Sequence, residues 1–86
     1  MQTENLDTKQ MSFGEKLVGL TFNPSGDDKV AKAKKLCAEL ADLLNENCAP
    51  ESDEWNDYVK RMLRDHAFTA ILDAQMNVVK VLTIKL

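Results

Sequence analysis

The sequence predicts an all-α fold: a short N-terminal helix or arm followed by an antiparallel helical hairpin, assembled into a homo-oligomer. Three observations carry this expectation. Two long stretches, 27–47 and 53–82, repeat their apolar residues at steps of three and four. Each is preceded by a proline-containing break. The last third of the second stretch is apolar on nearly every side, so one partner helix cannot cover it.

Residues 1–10 are polar and read as a frayed end. Met11, Phe13, Leu17, Val18 and Leu20 then support a short helix or ordered arm over 11–20, interrupted in pattern by Gly14 and Gly19. Asn23-Pro24-Ser25-Gly26 is the strongest break in the chain, because proline fixes its own φ, keeps Asn23 out of the helical region, and Gly26 permits positive φ. Val30, Ala33, Cys37, Leu40, Leu44 and Asn47, widened by Leu36 and Leu43, then form the stripe of an amphipathic helix.

Ala49-Pro50-Glu51-Ser52 ends that helix, and Ser52 or Asp53 can cap the next one. From Trp55 the apolar residues keep helical spacing through Val81. Beyond Phe68 they occupy almost every azimuth, which marks this part of the helix as a subunit interface. The stretch VVKVLTIKL is rich in β-branched residues and reads alternatively as a strand.

An 86-residue chain with 44% hydrophobic and 29% charged residues has room for one folded domain, 1–86. Chains this short lean on a staple, a metal or a second copy. Cys37 and Cys48 lie on one predicted helix, roughly 16 Å apart at about 1.5 Å per residue, too far to bridge. With the single histidine His66 and no cysteine or histidine pair at ligand spacing, no metal site or cofactor is expected. Oligomerisation is the remaining staple.

No stretch reaches the apolar length of a membrane span, and the first 20 residues lack the pattern of a signal peptide, which predicts a cytoplasmic protein with no membrane partner. A net charge of −3 argues against duplex nucleic acid as a partner. Nor do the residues form a catalytic set. His66 reads as a partly exposed or hydrogen-bonded structural histidine, Cys37 falls on the apolar stripe, and the acids of the first long helix read as solvated face. The expectation is a non-enzyme.

One stretch holds local chemistry. GLTFNPSGDDKVAKAKK sets an aromatic residue and a turn cluster ahead of Lys29, Lys32, Lys34 and Lys35. A helix start offers unpaired N–H groups at the positive end of the dipole, Ser25 adds a hydroxyl, Lys34 a charge and Phe22 a face for stacking. The competing reading is a turn in which Ser25 caps the helix, Asp28 imitates a capping box and the lysines form a solvated face.

The order FNPSG, V-x-x-x-K at Val30 to Lys34, AELADLL at 38–44 and M-x-x-V-K-x-x-T at Met76 to Thr83 resembles the phage anti-CBASS cyclic-oligonucleotide sponges. Their helical-hairpin domain also occurs attached to some anti-Thoeris sponges. The resemblance spans about residues 17–83. It implies a homo-oligomer, typically a hexamer, that sequesters cyclic di- and trinucleotides such as cyclic GMP-AMP without cleaving them, and so blocks effector activation in an infected bacterial host.

It further implies a cyclic-dinucleotide pocket between protomers that uses Phe22, Asn23, Pro24, Ser25, Gly26 and Lys34, with Lys34 matched by its spacing from Val30. The family tyrosine falls where this chain has Gly19 or Leu20, so Phe22 is the aromatic candidate. A trinucleotide pocket on a symmetry axis is implied for Thr69, Lys80 and Thr83. The alternative function is a helical protein-interaction module that binds a host or phage protein through its apolar C-terminal helix.

Overall fold

Ser12 opens the first helix by a reciprocal exchange. Its hydroxyl accepts the Glu15 N–H at 3.1 Å, and the Glu15 carboxylate accepts the Ser12 N–H at 2.9 Å. This capping box fixes the start of α1, Phe13–Val18. Gly19 ends it in the left-handed region at φ 63, with Gly19 N–H donating to Lys16 O and Leu20 N–H to Glu15 O. A side chain at Gly19 would strain that turn, which explains why the glycine follows an otherwise helical pattern.

The computed structural model describes residues 10–47 and 55–86. Within them the protein is all-helical, with α1 followed by α2 over Asp28–Glu46 and α3 over Trp55–Thr83, and with no strand among the described residues. The stretch at VVKVLTIKL that also read as a strand continues α3 as helix to Thr83. Most of the expected frayed end, the Ala49-Pro50-Glu51-Ser52 break, the caps at Ser52 or Asp53, and Cys48 lie outside the described residues. No helix of the described residues is long and apolar enough to cross a membrane.

α1 packs on α2, and α2 packs on α3. The first contact is close because Gly14 has no side chain. A Cβ there would stand 2.8 Å from the carbonyl carbon of Ala38, nearer still to its oxygen, and 2.9 Å from the Asp42 carboxylate. The Gly14 N–H donates to that carboxylate at 2.6 Å, so Asp42 satisfies one of the orphan donors of α1 across the helix pair. Phe13 extends the contact to α3, its ring centroid 5.1 Å from that of Phe68.

The buried side of α2 differs from the expected stripe. Val30, Lys34, Ala38 and Ala41 are buried, whereas Leu36, Leu40 and Leu43 are 57%, 49% and 56% exposed. The reason is the approach of α1: a backbone that comes this near Ala38 leaves room for alanine, and the large leucines project elsewhere. The core is correspondingly thin, made of Val18, Val30, Ala38, Ala41 and Ile71.

The molecule measures 47 × 42 × 13 Å, with a Cα radius of gyration of 15.3 Å. A compact chain of this length would have a radius near 12 Å. The molecule is flattened, its thinnest dimension less than a third of either of the others. Met76, Val78, Val81 and Ile84, the residues that ring the end of α3, are 67%, 42%, 75% and 49% exposed.

Candidate functional site

The turn between α1 and α2 is built from its own side chains. Gly26 N–H donates to Asn23 O with Gly26 at φ 66, closing a tight turn that favours glycine. The Ser25 hydroxyl donates to Asn23 Oδ1 at 2.7 Å and accepts the Asp27 N–H at 3.2 Å. Asn23 Nδ2 donates to Asp27 O at 3.1 Å. Asp27 then caps α2 by accepting the Lys29 N–H at 2.7 Å.

This arrangement corrects the expected cap: it is Asp27 rather than Ser25. The N–H groups of Gly26, Asp27 and Lys29 have acceptors within the chain. A carboxylate now occupies the positive end of the dipole, where it opposes an incoming anion. The start of α2 is a closed turn.

Lys34 departs from expectation in a more informative way. It is 6% exposed, and its ammonium donates to Gly19 O at 3.1 Å and to Phe22 O. The same nitrogen lies 5.3 Å from the centroid of the Phe22 ring, within cation–π range. Lysine has three N–H donors, so two carbonyls leave one for another acceptor. Lys34 fastens the turn after α1 to α2, and Phe22, 69% exposed, covers it from outside.

Beside this clamp runs a groove of about 640 Å³, within the range of small-ligand sites. The turn contributes Phe22, Asn23, Pro24 and Ser25; α1 and α2 contribute Val18, Val30 and Lys34; and α3 contributes Gln75, Met76, Val79, Lys80 and Thr83. Five of the six residues expected to meet a cyclic dinucleotide thus share one groove with two of the three expected for a trinucleotide. Gly26 and Thr69 do not line it.

The donors differ in availability. The Thr83 hydroxyl donates to Val79 O at 2.8 Å and the Thr69 hydroxyl to Asp65 O at 3.2 Å, each closing onto its own helix as threonines inside helices do. Lys80 is exposed and makes no ion pair among the described residues. The groove therefore offers one uncommitted ammonium from Lys80, the remaining N–H of Lys34, and the exposed ring of Phe22.

Gln75 is the residue that sequence reasoning passed over. It is 8% exposed, it lines the groove, and its Oε1 is buried with no hydrogen-bond partner. A signal was present: Ile71, Gln75 and Val79 follow at steps of four, so a carboxamide sits within an apolar row.

A second groove of about 640 Å³ opens at the other end of the helix pair, lined by Leu43, Leu44, Asn47, Lys60, Leu63, Arg64 and Ala67. Volume does not separate the two. The first differs in its buried unpaired acceptor and its exposed aromatic ring. Elsewhere, His66 is exposed, and no cluster of three metal-ligating side chains occurs among the described residues. Burial pushes the Cys37 thiol above its ordinary range, so it stays protonated at neutral pH and is a poor nucleophile.

No protein-family model, curated protein or solved structure matches the chain.

Proposed function

We propose that this chain is a phage anti-defence protein, a helical hairpin assembled as a homo-oligomer of hexamer type, that binds cyclic di- and trinucleotide second messengers without cleaving them. It would act in the cytoplasm of an infected bacterial host, lowering the free messenger below what a CBASS effector needs. The observation that carries the reading is the groove that gathers Phe22, Asn23, Pro24, Ser25 and Lys34 with Lys80 and Thr83. An exposed aromatic ring beside two ammonium groups suits a base followed by a phosphate.

Hairpin geometry is supported by the two grooves. One joins the start of α2 to the end of α3, and the other joins the end of α2 to the start of α3. Assembly is supported by the thickness of 13 Å and by the exposed leucines of α2 and ring of apolar residues on α3. A second copy laid on such a face covers its exposed apolar residues. Those same faces favour the second reading, a module that docks a different protein.

Incubation of the purified protein with cyclic GMP-AMP separates the readings. Native mass measurement is expected to show an oligomer carrying an integral number of nucleotides, and heating is expected to release the nucleotide intact. Nanomolar affinity, needed for depletion, corresponds to about −12 kcal/mol. Linear product would make the protein an enzyme. An oligomer that takes up no nucleotide at micromolar concentration would leave the interaction module as the surviving reading.

A further inference from the structure

We propose that two copies of this chain pair through α2, antiparallel across a two-fold axis near Glu39. This rests on the homo-oligomer part of the reading above and deepens it by naming an interface and its orientation. Leu36, Leu40 and Leu43 are 57%, 49% and 56% exposed and follow at steps of four and three. At about 100° per residue they fall within roughly 60° of one another, and roughly 150° around α2 from the buried Val30, Lys34, Ala38 and Ala41. On a helix whose outer side meets water such positions are ordinarily polar. Leucines at this spacing form the seam along which helices pair.

Charge decides what covers the seam. Exposed Lys32 stands four residues before Leu36, and exposed Glu46 three after Leu43, both beside the leucine stripe. Neither has an ion-pair partner among the described residues. A second copy reversed about a two-fold axis brings Lys32 against its Glu46 and Leu36 against its Leu43, because both pairs are centred on Glu39 to within about one residue. The leucines and the charges thus agree on one register.

The same surface fails in the other direction. A parallel pair would set Lys32 beside Lys32 and Glu46 beside Glu46, and like charges at an interface oppose association. The face is complementary to a copy of itself only when reversed. Glu39 meets its own copy near the axis, an unfavourable contact, so Glu39→Gln is expected to tighten the pairing about twofold.

The test uses the full chain without nucleotide, with isotope-labelled and unlabelled copies mixed before zero-length carbodiimide cross-linking. A cross-link joining Lys32 of a labelled copy to Glu46 of an unlabelled one is expected. Mass followed against concentration then gives the dissociation constant of the pairing in charge-reversed variants, all at exposed positions. Lys32→Glu and Glu46→Lys are each expected to weaken it about tenfold, since the axis repeats each changed contact. Lys32→Glu combined with Glu46→Lys is expected to return to within about twofold of wild type. A combined variant weaker than either single one would overturn the antiparallel orientation. An oligomer that gives no such cross-link and ignores all three variants would overturn the α2 pairing while leaving a homo-oligomer assembled elsewhere. A cross-linked pair that takes up no cyclic GMP-AMP would keep this interface and overturn the sponge. A monomer at micromolar concentration would overturn both the pairing and the homo-oligomer.

Discussion

Gly14→Ala is expected to break the packing of α1 on α2 and to destabilise the protein by about 3 kcal/mol, the upper range for forcing an extra carbon into a filled contact. In a domain of this size that lowers the melting temperature by roughly 12–24 °C. The sign is the informative part. Alanine in place of a helical glycine ordinarily stabilises by up to about 1 kcal/mol through helix propensity alone. Here the new Cβ would meet the Ala38 carbonyl and the Asp42 carboxylate, and the nearer atoms are backbone that cannot rotate aside. Relief requires α1 to move off α2, which also stretches the bond from Gly14 N–H to Asp42. A melting temperature equal to or above wild type would show that α1 does not sit on α2 through Gly14.

Lys34→Met is expected to release the segment from Gly19 to Asn23 while leaving α3 in place. Methionine retains an apolar stem and discards the ammonium that holds Gly19 O and Phe22 O together. Hydrogen bonds to a charged donor are worth about 1.5–3 kcal/mol each, and removing a buried charge returns part of that. A net local loss of about 2 kcal/mol follows, which by the tenfold-per-1.4 kcal/mol rule speeds amide exchange about thirtyfold where opening is local. The Phe22 amide, bonded to Gly19 O at 2.8 Å, is the one to watch. Unchanged exchange there would mean that the lysine is not a clamp. The result also bears on function: loss of nucleotide binding in a Lys34 variant mixes a missing phosphate contact with a loosened turn, so Lys80→Ala is the cleaner probe of charge in the groove.

Helix positions were legible because their signals are local. Steps of three and four place α2 and α3, whereas the short helix expected over 11–20 was read from its apolar residues, and the Ser12-to-Glu15 capping box that starts it at Phe13 was passed over. Burial was less legible, because hydrophobicity ranks Leu36, Leu40 and Leu43 above Ala38 and Ala41, while the structure buries the alanines. What decides is how near a second backbone comes, and that depends on Gly14, 24 residues before Ala38 in the chain. Lys34 was hidden for the same reason: its two acceptors are carbonyls, which every residue carries and no sequence distinguishes. The site divides similarly. Phe22 to Ser25 announce themselves as a turn, whereas Gln75 acquires meaning only once its side-chain oxygen is found buried and unpaired in a residue that lines a groove.

The central place of α2, packed on α1 before it and α3 after it, bears on how the chain folds. Partners that adjoin in sequence need only short loops to close before contacts form, and such topologies fold quickly. A nucleus built around α2 would make substitutions at Ala38 or Ala41 slow folding, while changes on the outer parts of α1 and α3 would mainly hasten unfolding. Speed matters for a chain with so much apolar surface uncovered, because each unfolded interval exposes more of it to aggregation.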